Sequence, residues 1–296
     1  MTTLAAGTGT VLLGRSALAF PASAPVVNTD PFQLVTLGNT GIKTTLLGMG
    51  TGVNATNGSA AIIRAGAGAA HAVIRGAYDK GIRYFDCADA YGTHPYVRDA
   101  LNGIPRESYT LGTKIWLGRG GIPGTERPDA NIVIDRFRKE LGTDFLDLVQ
   151  IHLMTSPQWT EEHKRQMDIL EDLKAKKIIR AHGCSVHSTE ALEAAIESPW
   201  VDVVHVRINP FGEAMDKKDP ALIVPLIEKL HKSGKGVIGM KLIGNGAFKN
   251  DSEKIDASIR FVLGLGTVDM IIVGFETPDQ IDNYTARVIK ALKNRT

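Results

Sequence analysis

The residues with the most chemistry in this chain lie in Tyr84-Phe85-Asp86-Cys87-Ala88-Asp89-Ala90-Tyr91-Gly92, with Lys114 and His152 each closing a later apolar run. A phenol, an amine, a carboxylate and an imidazole brought to one place would form a proton-donating pocket. A tyrosine titrates near about 10 and is a weak acid unless its phenolate is stabilised. A lysine ammonium beside it does so by attraction, an aspartate keeps that lysine charged and oriented, and a histidine can donate to a substrate oxygen. Hydride arriving at a carbonyl carbon generates an alkoxide, and Tyr91 would protonate it as it forms. Taken singly, each residue has a plainer use: an ion pair at strand ends, a packed loop tyrosine, a histidine closing a strand. Their placement on consecutive structural units favours the chemical reading.

Those units come from an alternation of short apolar runs with amphipathic stretches, beginning near Asp30. Runs such as Leu146-Asp147-Leu148-Val149-Gln150-Ile151 and Met270-Ile271-Ile272-Val273 suit parallel strands buried on both faces. The pattern predicts strands at 45–50 and near 82–86, 109–114, 146–151, 178–184, 201–206, 236–240 and 269–273. Helices are expected near 68–80, 95–102, 129–141, 161–175, 188–197, 219–233, 253–263 and 278–293. Ser188 and Thr277 are placed to cap two of them, and Gly81, Gly142 and Gly234 to close three others. Ahead of the first strand, 32–35 and 43–46 read as a hairpin turning at Asn39-Thr40-Gly41. Neither Gly-x-Gly-x-x-Gly nor Gly-x-x-x-x-Gly-Lys occurs, which weakens an open nucleotide-binding sheet. The expected architecture is an α/β (β/α)8 TIM barrel with an N-terminal β-hairpin, one catalytic domain over 31–296. In such a barrel Asp86, Lys114 and His152 end successive strands and Tyr91 lies on the loop after the first of them.

At these residues the chain resembles the aldo-keto reductases. The 84–92 segment is similar to that family's Asp-to-Tyr stretch. Leu111-Gly112-Thr113-Lys114 resembles its lysine strand, and Leu148-Val149-Gln150-Ile151-His152 its histidine strand. Arg180-Ala181-His182-Gly183-Cys184-Ser185 and Ile271-Ile272-Val273-Gly274 match in place and order, so that the likeness covers about residues 33–293. It implies NADPH or NADH as hydride donor, bound without a glycine fingerprint, and reduction of an aldehyde or ketone to an alcohol. Asp86, Tyr91, Lys114 and His152 take the catalytic positions. Ser185, His205, Met240, Lys241, Gly274 and Gln280 fall at cofactor positions, and Trp116 beside the substrate.

The cofactor positions depart from the family pattern. Val186 replaces the Asn beside Ser185, His205 stands where a Gln bonds the carboxamide, and Met240 where a Tyr stacks on the nicotinamide. The Lys, Ser and Arg that pair with a 2′-phosphate appear as Gly274, Phe275 and Gln280, with Glu276 and Asp279 close by. The balance leans toward NADH. This altered pocket motivates a rival reading, a dinucleotide-binding barrel of little turnover that serves as a redox sensor or partner subunit. A lyase forming an imine at Lys114 is a weaker third.

Composition narrows the partners. With 34 basic and 32 acidic residues scattered along the chain, a nucleic-acid surface is not expected. The two cysteines, Cys87 and Cys184, supply no disulfide framework, and the histidines show no metal-ligand spacing. Residues 1–30 differ from the rest. An Ala-, Gly- and Leu-rich stretch with Arg15 as its only charge leads to Ala17-Leu18-Ala19 and Ala22-Ser23-Ala24, small-residue triplets like signal-peptidase sites. It resembles the rear half of a twin-arginine export signal, which would send the folded protein to the periplasm. The alternative is an uncleaved arm on a cytoplasmic protein. Arg15 and the glycines argue against stable membrane insertion.

Overall fold

The computed structural model describes residues 1–3 and 28–294, so the signal-like segment lies outside the described residues. Ten strands follow in chain order: β1 Leu34–Thr36, β2 Lys43–Thr45, β3 Leu47–Gly50, β4 Tyr84–Asp86, β5 Thr110–Ile115, β6 Leu146–Met154, β7 Ile179–Val186, β8 Val203–Arg207, β9 Gly236–Met240 and β10 Met270–Gly274. Strands β3 to β10 close into a parallel barrel, β10 pairing with β3. Helices wrap the outside, the longest at Ala67–Asp79, Ala130–Leu141, Lys164–Ala175, Ser252–Gly264 and Pro278–Lys293. The expected (β/α)8 barrel with its hairpin is the observed fold.

Burial explains the strand sequences. One side of each strand meets the helices in a continuous apolar shell. The other fills the barrel with Leu37, Ile42, Tyr84, Leu148, Ala181, Val203, Ile238 and Met270 as its lower layer. Leu37 and Ile42 come from the β1–β2 hairpin, which therefore plugs the barrel floor. Asp269 fastens it there, its Oδ2 accepting from Gly38 N (3.1 Å) and Val237 N (2.8 Å). Above that layer the inward positions turn polar: Asp86, Lys114, Gln150 and His205 are all fully or almost fully buried.

Local differences from the sequence reading have identifiable causes. The first hairpin strand starts at Leu34 because Asp30 makes a turn, accepting from the Phe32 N–H through Oδ1 (2.8 Å). The helix expected from 219 begins at Val224. Pro225 has no N–H and fits a first turn rather than an interior, and a short 3-10 turn at Pro220–Leu222 takes up the preceding chain. Ser188 caps its helix by accepting from Ala191 N (3.0 Å), but Thr277 makes no such bond. There the Gln280 side chain reaches back instead, accepting from Glu276 N (2.7 Å).

The barrel wall is tightest at Gly183, where a Cβ would lie 1.8 Å from the Val203 carbonyl oxygen. Backbone cannot yield there as a flexible side chain would. Gly183→Ala is expected to cost more than about 3 kcal/mol of unfolding free energy in urea titrations. Gly264→Ala, where a Cβ meets nothing within 4 Å, should instead leave stability unchanged or raise it by up to about 1 kcal/mol.

Candidate active site

Parallel strand register sets the site. Asp86 pairs with Gly112 across β4–β5 and Lys114 with Gln150 across β5–β6, so alternation turns Asp86, Lys114 and His152 inward near the strand ends. Lys114 Nζ lies 2.6 Å from both Asp86 carboxylate oxygens and 3.0 Å from the Cys87 carbonyl oxygen. The carboxylate and the carbonyl together hold the ammonium in place. Burial alone would raise the Asp86 pKa, but Lys114 and then His205 outweigh it and hold the carboxyl at about 2.

Tyr91 reaches the same place from the loop after β4. A 3-10 turn at Asp89–Tyr91, closed by Gly92 in the left-handed region (φ 68°), directs its ring over Gly52. Only glycine fits at 52, since a Cβ would come within 2.4 Å of that ring. The Tyr91 ring stands edge-on to His152 at 5.6 Å, and Lys114 Nζ lies 5.4 Å from its centre. Burial pushes the phenol well above its usual range, with the Asp86 and Cys87 charges adding to the effect. Burial is the larger cause, and Lys114 is not among the charges that shift the phenol.

His152 is almost fully buried between Tyr91 and Trp116, whose ring stands 5.2 Å away, edge-on. Burial first, and the Lys114 charge second, hold it well below the ordinary histidine range and hence neutral. The strand bends just beyond it. Pairing with β7 is irregular between Ile151 and Met154, and Leu153 takes a left-handed φ of 67° that non-glycine residues rarely adopt. Ser185 secures the bend by accepting from Leu153 N (2.9 Å), which leaves its own O–H to donate into the cavity.

All four groups open on one cavity of about 730 Å³, within the range of small-molecule and cofactor sites (about 300–1,000 Å³). Ser185, Met240, Lys241, Gly274, Gln280 and Trp116 also line it. Gly50 and Gly274 pair across β3 and β10 and both line it, with Val53 packed closely against Gly274. Lys241 and Asn245, both with left-handed φ, clasp each other at 2.7 Å along its side. His205 is a correction. It is completely buried and does not line the cavity; its Nε2 lies 3.0 Å from Asp86 Oδ1, beneath the site.

The sequence reading missed the far end of the cavity. Asn283, Tyr284 and Arg287 line it together with Gln280. Their spacing of three, four and seven residues from Gln280 is one face of the last helix, a signal present in the sequence. Two other aromatic residues lie apart from it: Trp159 is core, donating to the Ala191 carbonyl (3.2 Å), and Phe211 packs on Phe248 outside the cavity.

Residues 47–260, which include all four of these polar groups, match the family model described as the aldo/keto reductase family. The chain belongs to that family. Among curated aldo/keto reductases, it is 26% identical over 184 residues to "Probable aldo-keto reductase 1" of Glycine max, covering 60% of this chain and 50% of that one. With aldehyde reductase YPR1 of Saccharomyces cerevisiae it shares 32% over 116 residues, covering 38% and 31%. The chain thus spans half or less of the length of these two relatives. The solved aldo-keto reductase AKR11C1 from Bacillus halodurans (holo form) has the same fold, with TM-score 0.68 at 18% identity over 89% of this chain and 96% of that one.

The Asp86–Lys114 pair makes the protein sensitive to loss of either partner alone. Lys114→Met leaves a buried carboxylate without its cation and should destabilise by about 3–5 kcal/mol, whereas Asp86→Leu/Lys114→Met should recover most of that loss in thermal unfolding. The pair also has an acid limit. Asp86 titrates at about 2 when folded against an ordinary 3.8, so its contribution is complete above the ordinary value and disappears as pH falls through about 2.

Proposed function

We propose that the protein is an NAD(P)H-dependent carbonyl reductase that protonates the new alcohol oxygen from Tyr91. What carries this reading is that Tyr91, Lys114 and His152 open on the same cavity as Ser185, Met240, Gly274 and Gln280. Proton donor and cofactor groups thus face one space. Its volume and the Ser185 hydroxyl fit a dinucleotide. Ser185 would hold the carboxamide, Met240 would lie against the nicotinamide, and Lys241 with the Gly274 backbone would meet the phosphates. The bound nicotinamide supplies hydride.

The chain's own groups do the rest. Neutral His152 and the Tyr91 hydroxyl orient the carbonyl oxygen, while Trp116 closes one side and limits water. The raised phenol pKa suits this role. Tyr91 stays protonated until an alkoxide, a far stronger base, forms against it. Lys114 then faces a developing phenolate and stabilises it by charge. Tyr91→Phe should lower kcat for aldehyde reduction by at least about a thousandfold with the cofactor dissociation constant within threefold of wild type, roughly the scale of losing a general acid. Equal rates would refute the donor role, and unchanged binding with no wild-type turnover on a broad carbonyl panel would favour the sensor reading.

At the adenosine end we propose a preference for NADH. Glu276 lines the cavity, where a carboxylate can accept from ribose hydroxyls and repels a 2′-phosphate. Arg287, the cation nearest in the helix, is engaged with Asp256, with Asn283 Oδ1 (2.7 Å) and with Ser252. Glu276→Gln should therefore improve kcat/KM for NADPH by about ten- to thirtyfold, the scale of removing one like-charge contact, and change NADH little. Steady-state kinetics with both cofactors decides it; no gain with NADPH would remove Glu276 as the discriminator.

A further inference from the structure

Asp89 stands two residues before Tyr91 and has no part in the reaction described above. Its side chain is only 8% exposed, yet it does not line the cavity on which Tyr91 opens. It faces a separate cavity of about 300 Å³, which it lines with Arg136 and which shares the wall Trp116 with the first. Asp89 therefore does not meet the space where a carbonyl would sit, and it can serve Tyr91 only through the chain between them. A nearly buried carboxylate needs a partner. Among the described residues that partner is Arg136, whose Nη2 donates to Asp89 Oδ2 (2.9 Å).

Arg136 belongs to the helix Ala130–Leu141, and the same helix holds the other side of the Tyr91 turn. One helical turn on, Glu140 accepts from Arg136 Nη1 through Oε1 (3.0 Å) and meets His94 Nδ1 through Oε2 (2.7 Å). Burial alone would raise the Glu140 carboxyl, but His94 and then Arg136 outweigh it and hold it below its ordinary value. An ionised carboxylate only accepts, so His94 Nδ1 carries a proton. The other ring nitrogen, Nε2, lies 2.8 Å from Thr113 Oγ1, next to Lys114 on β5. Residues 89 and 94 thus bracket Tyr91, and residues 136 and 140 of one helix grip both. On the opposite flank Gly58 N donates to the Ala90 carbonyl (3.2 Å) and Ala60 N to the Tyr91 carbonyl (3.1 Å). The turn between these grips is three residues of 3-10 helix, whose own hydrogen bonds are poor.

We infer that Arg136 is a positioning residue: with Glu140 it clamps Asp89 and His94 to one helix and so fixes the turn that aims the Tyr91 hydroxyl into the cavity. A proton donor needs such fixing, because its effect is lost once it leaves hydrogen-bond reach of the oxygen it serves. Arginine suits the place, since its planar fork addresses Asp89 through one nitrogen and Glu140 through another. An ion pair kept for stability alone would weaken the fold when removed but would leave the folded molecules reacting at the wild-type rate. The inference rests on Tyr91 being the proton donor.

The test uses the full chain with para-nitrobenzaldehyde and NADH. Arg136→Met should lower kcat about ten- to hundredfold, the scale of a reacting group moved by about an ångström, with the NADH dissociation constant and the aldehyde KM within about threefold of wild type. Asp89→Asn/Arg136→Met carries no unpaired buried charge and should lose as much, which keeps the test open should Arg136→Met unfold. Arg165→Met, which breaks the Arg165–Asp129 pair at the start of the same helix, should stay within about twofold of wild type. Folded Arg136 variants at the wild-type rate overturn the inference, and so does an equal loss in Arg165→Met. Tyrosine ring-carbon chemical shifts supply a readout that needs no turnover. The Tyr91 and Tyr84 signals are each assigned by their loss in the Tyr→Phe variant. In the Arg136 variants the Tyr91 signal should shift or broaden while that of Tyr84, in the lower barrel layer, stays in place; an unmoved Tyr91 signal overturns the inference. Tyr91→Phe separates the two readings. If it is inactive while the Arg136 variants are not impaired, only the clamp fails; if it is as fast as wild type, the donor role fails and takes the clamp with it.

Discussion

The structure is organised around one interaction, the ion pair between Asp86 and Lys114 inside the barrel. Burying two charges costs several kcal/mol per ion before their attraction is counted. The barrel meets that cost with geometry: both carboxylate oxygens at 2.6 Å, a third acceptor from the Cys87 carbonyl, and His205 behind. Such a pair is tolerated only where neighbouring strands hold it rigidly, and the parallel register of β4, β5 and β6 does this. The apolar layer below and the helices outside give the pair its low-dielectric setting. That setting in turn keeps the Tyr91 phenol protonated and the His152 imidazole neutral.

The pair also divides the labour of the cavity. Near Tyr91 the titratable groups Asp86, Lys114 and His152 are fixed by strands. Toward Lys241 and Arg287 the wall is built from loops and one helix face, where left-handed Lys241 and Asn245 clasp each other. Asp86, Tyr91, Lys114 and His152 stand where the resemblance expects them. The departures collect at Val186, Met240 and Gly274, at the ends of β7, β9 and β10, and at His205, whose side chain meets Asp86 instead of the cavity.

Much of this was legible in the sequence, and unevenly so. Strand-ending Asp86, Lys114 and His152 were readable because inward alternation and the barrel's active end are rules of backbone geometry. Boundaries slipped where a single side chain set them, as with the Asp30 turn or Pro225. His205 was misplaced because a strand position fixes the direction of a side chain but not the depth at which it stops. The raised phenol pKa of Tyr91 was hidden for a related reason: sequence shows that a lysine is near but not how far the ring is removed from water. Arg287 was missed although its helical spacing from Gln280 was available, since attention to strand ends excluded a helix face.

The hairpin at the barrel floor carries a consequence for assembly. Leu37 and Ile42 fill the lower end, and Gly38 N donates to Asp269, 231 residues further along the chain. The plug is thus fastened by the far end of the barrel, and its latch can form only once the first and last parallel strands have met.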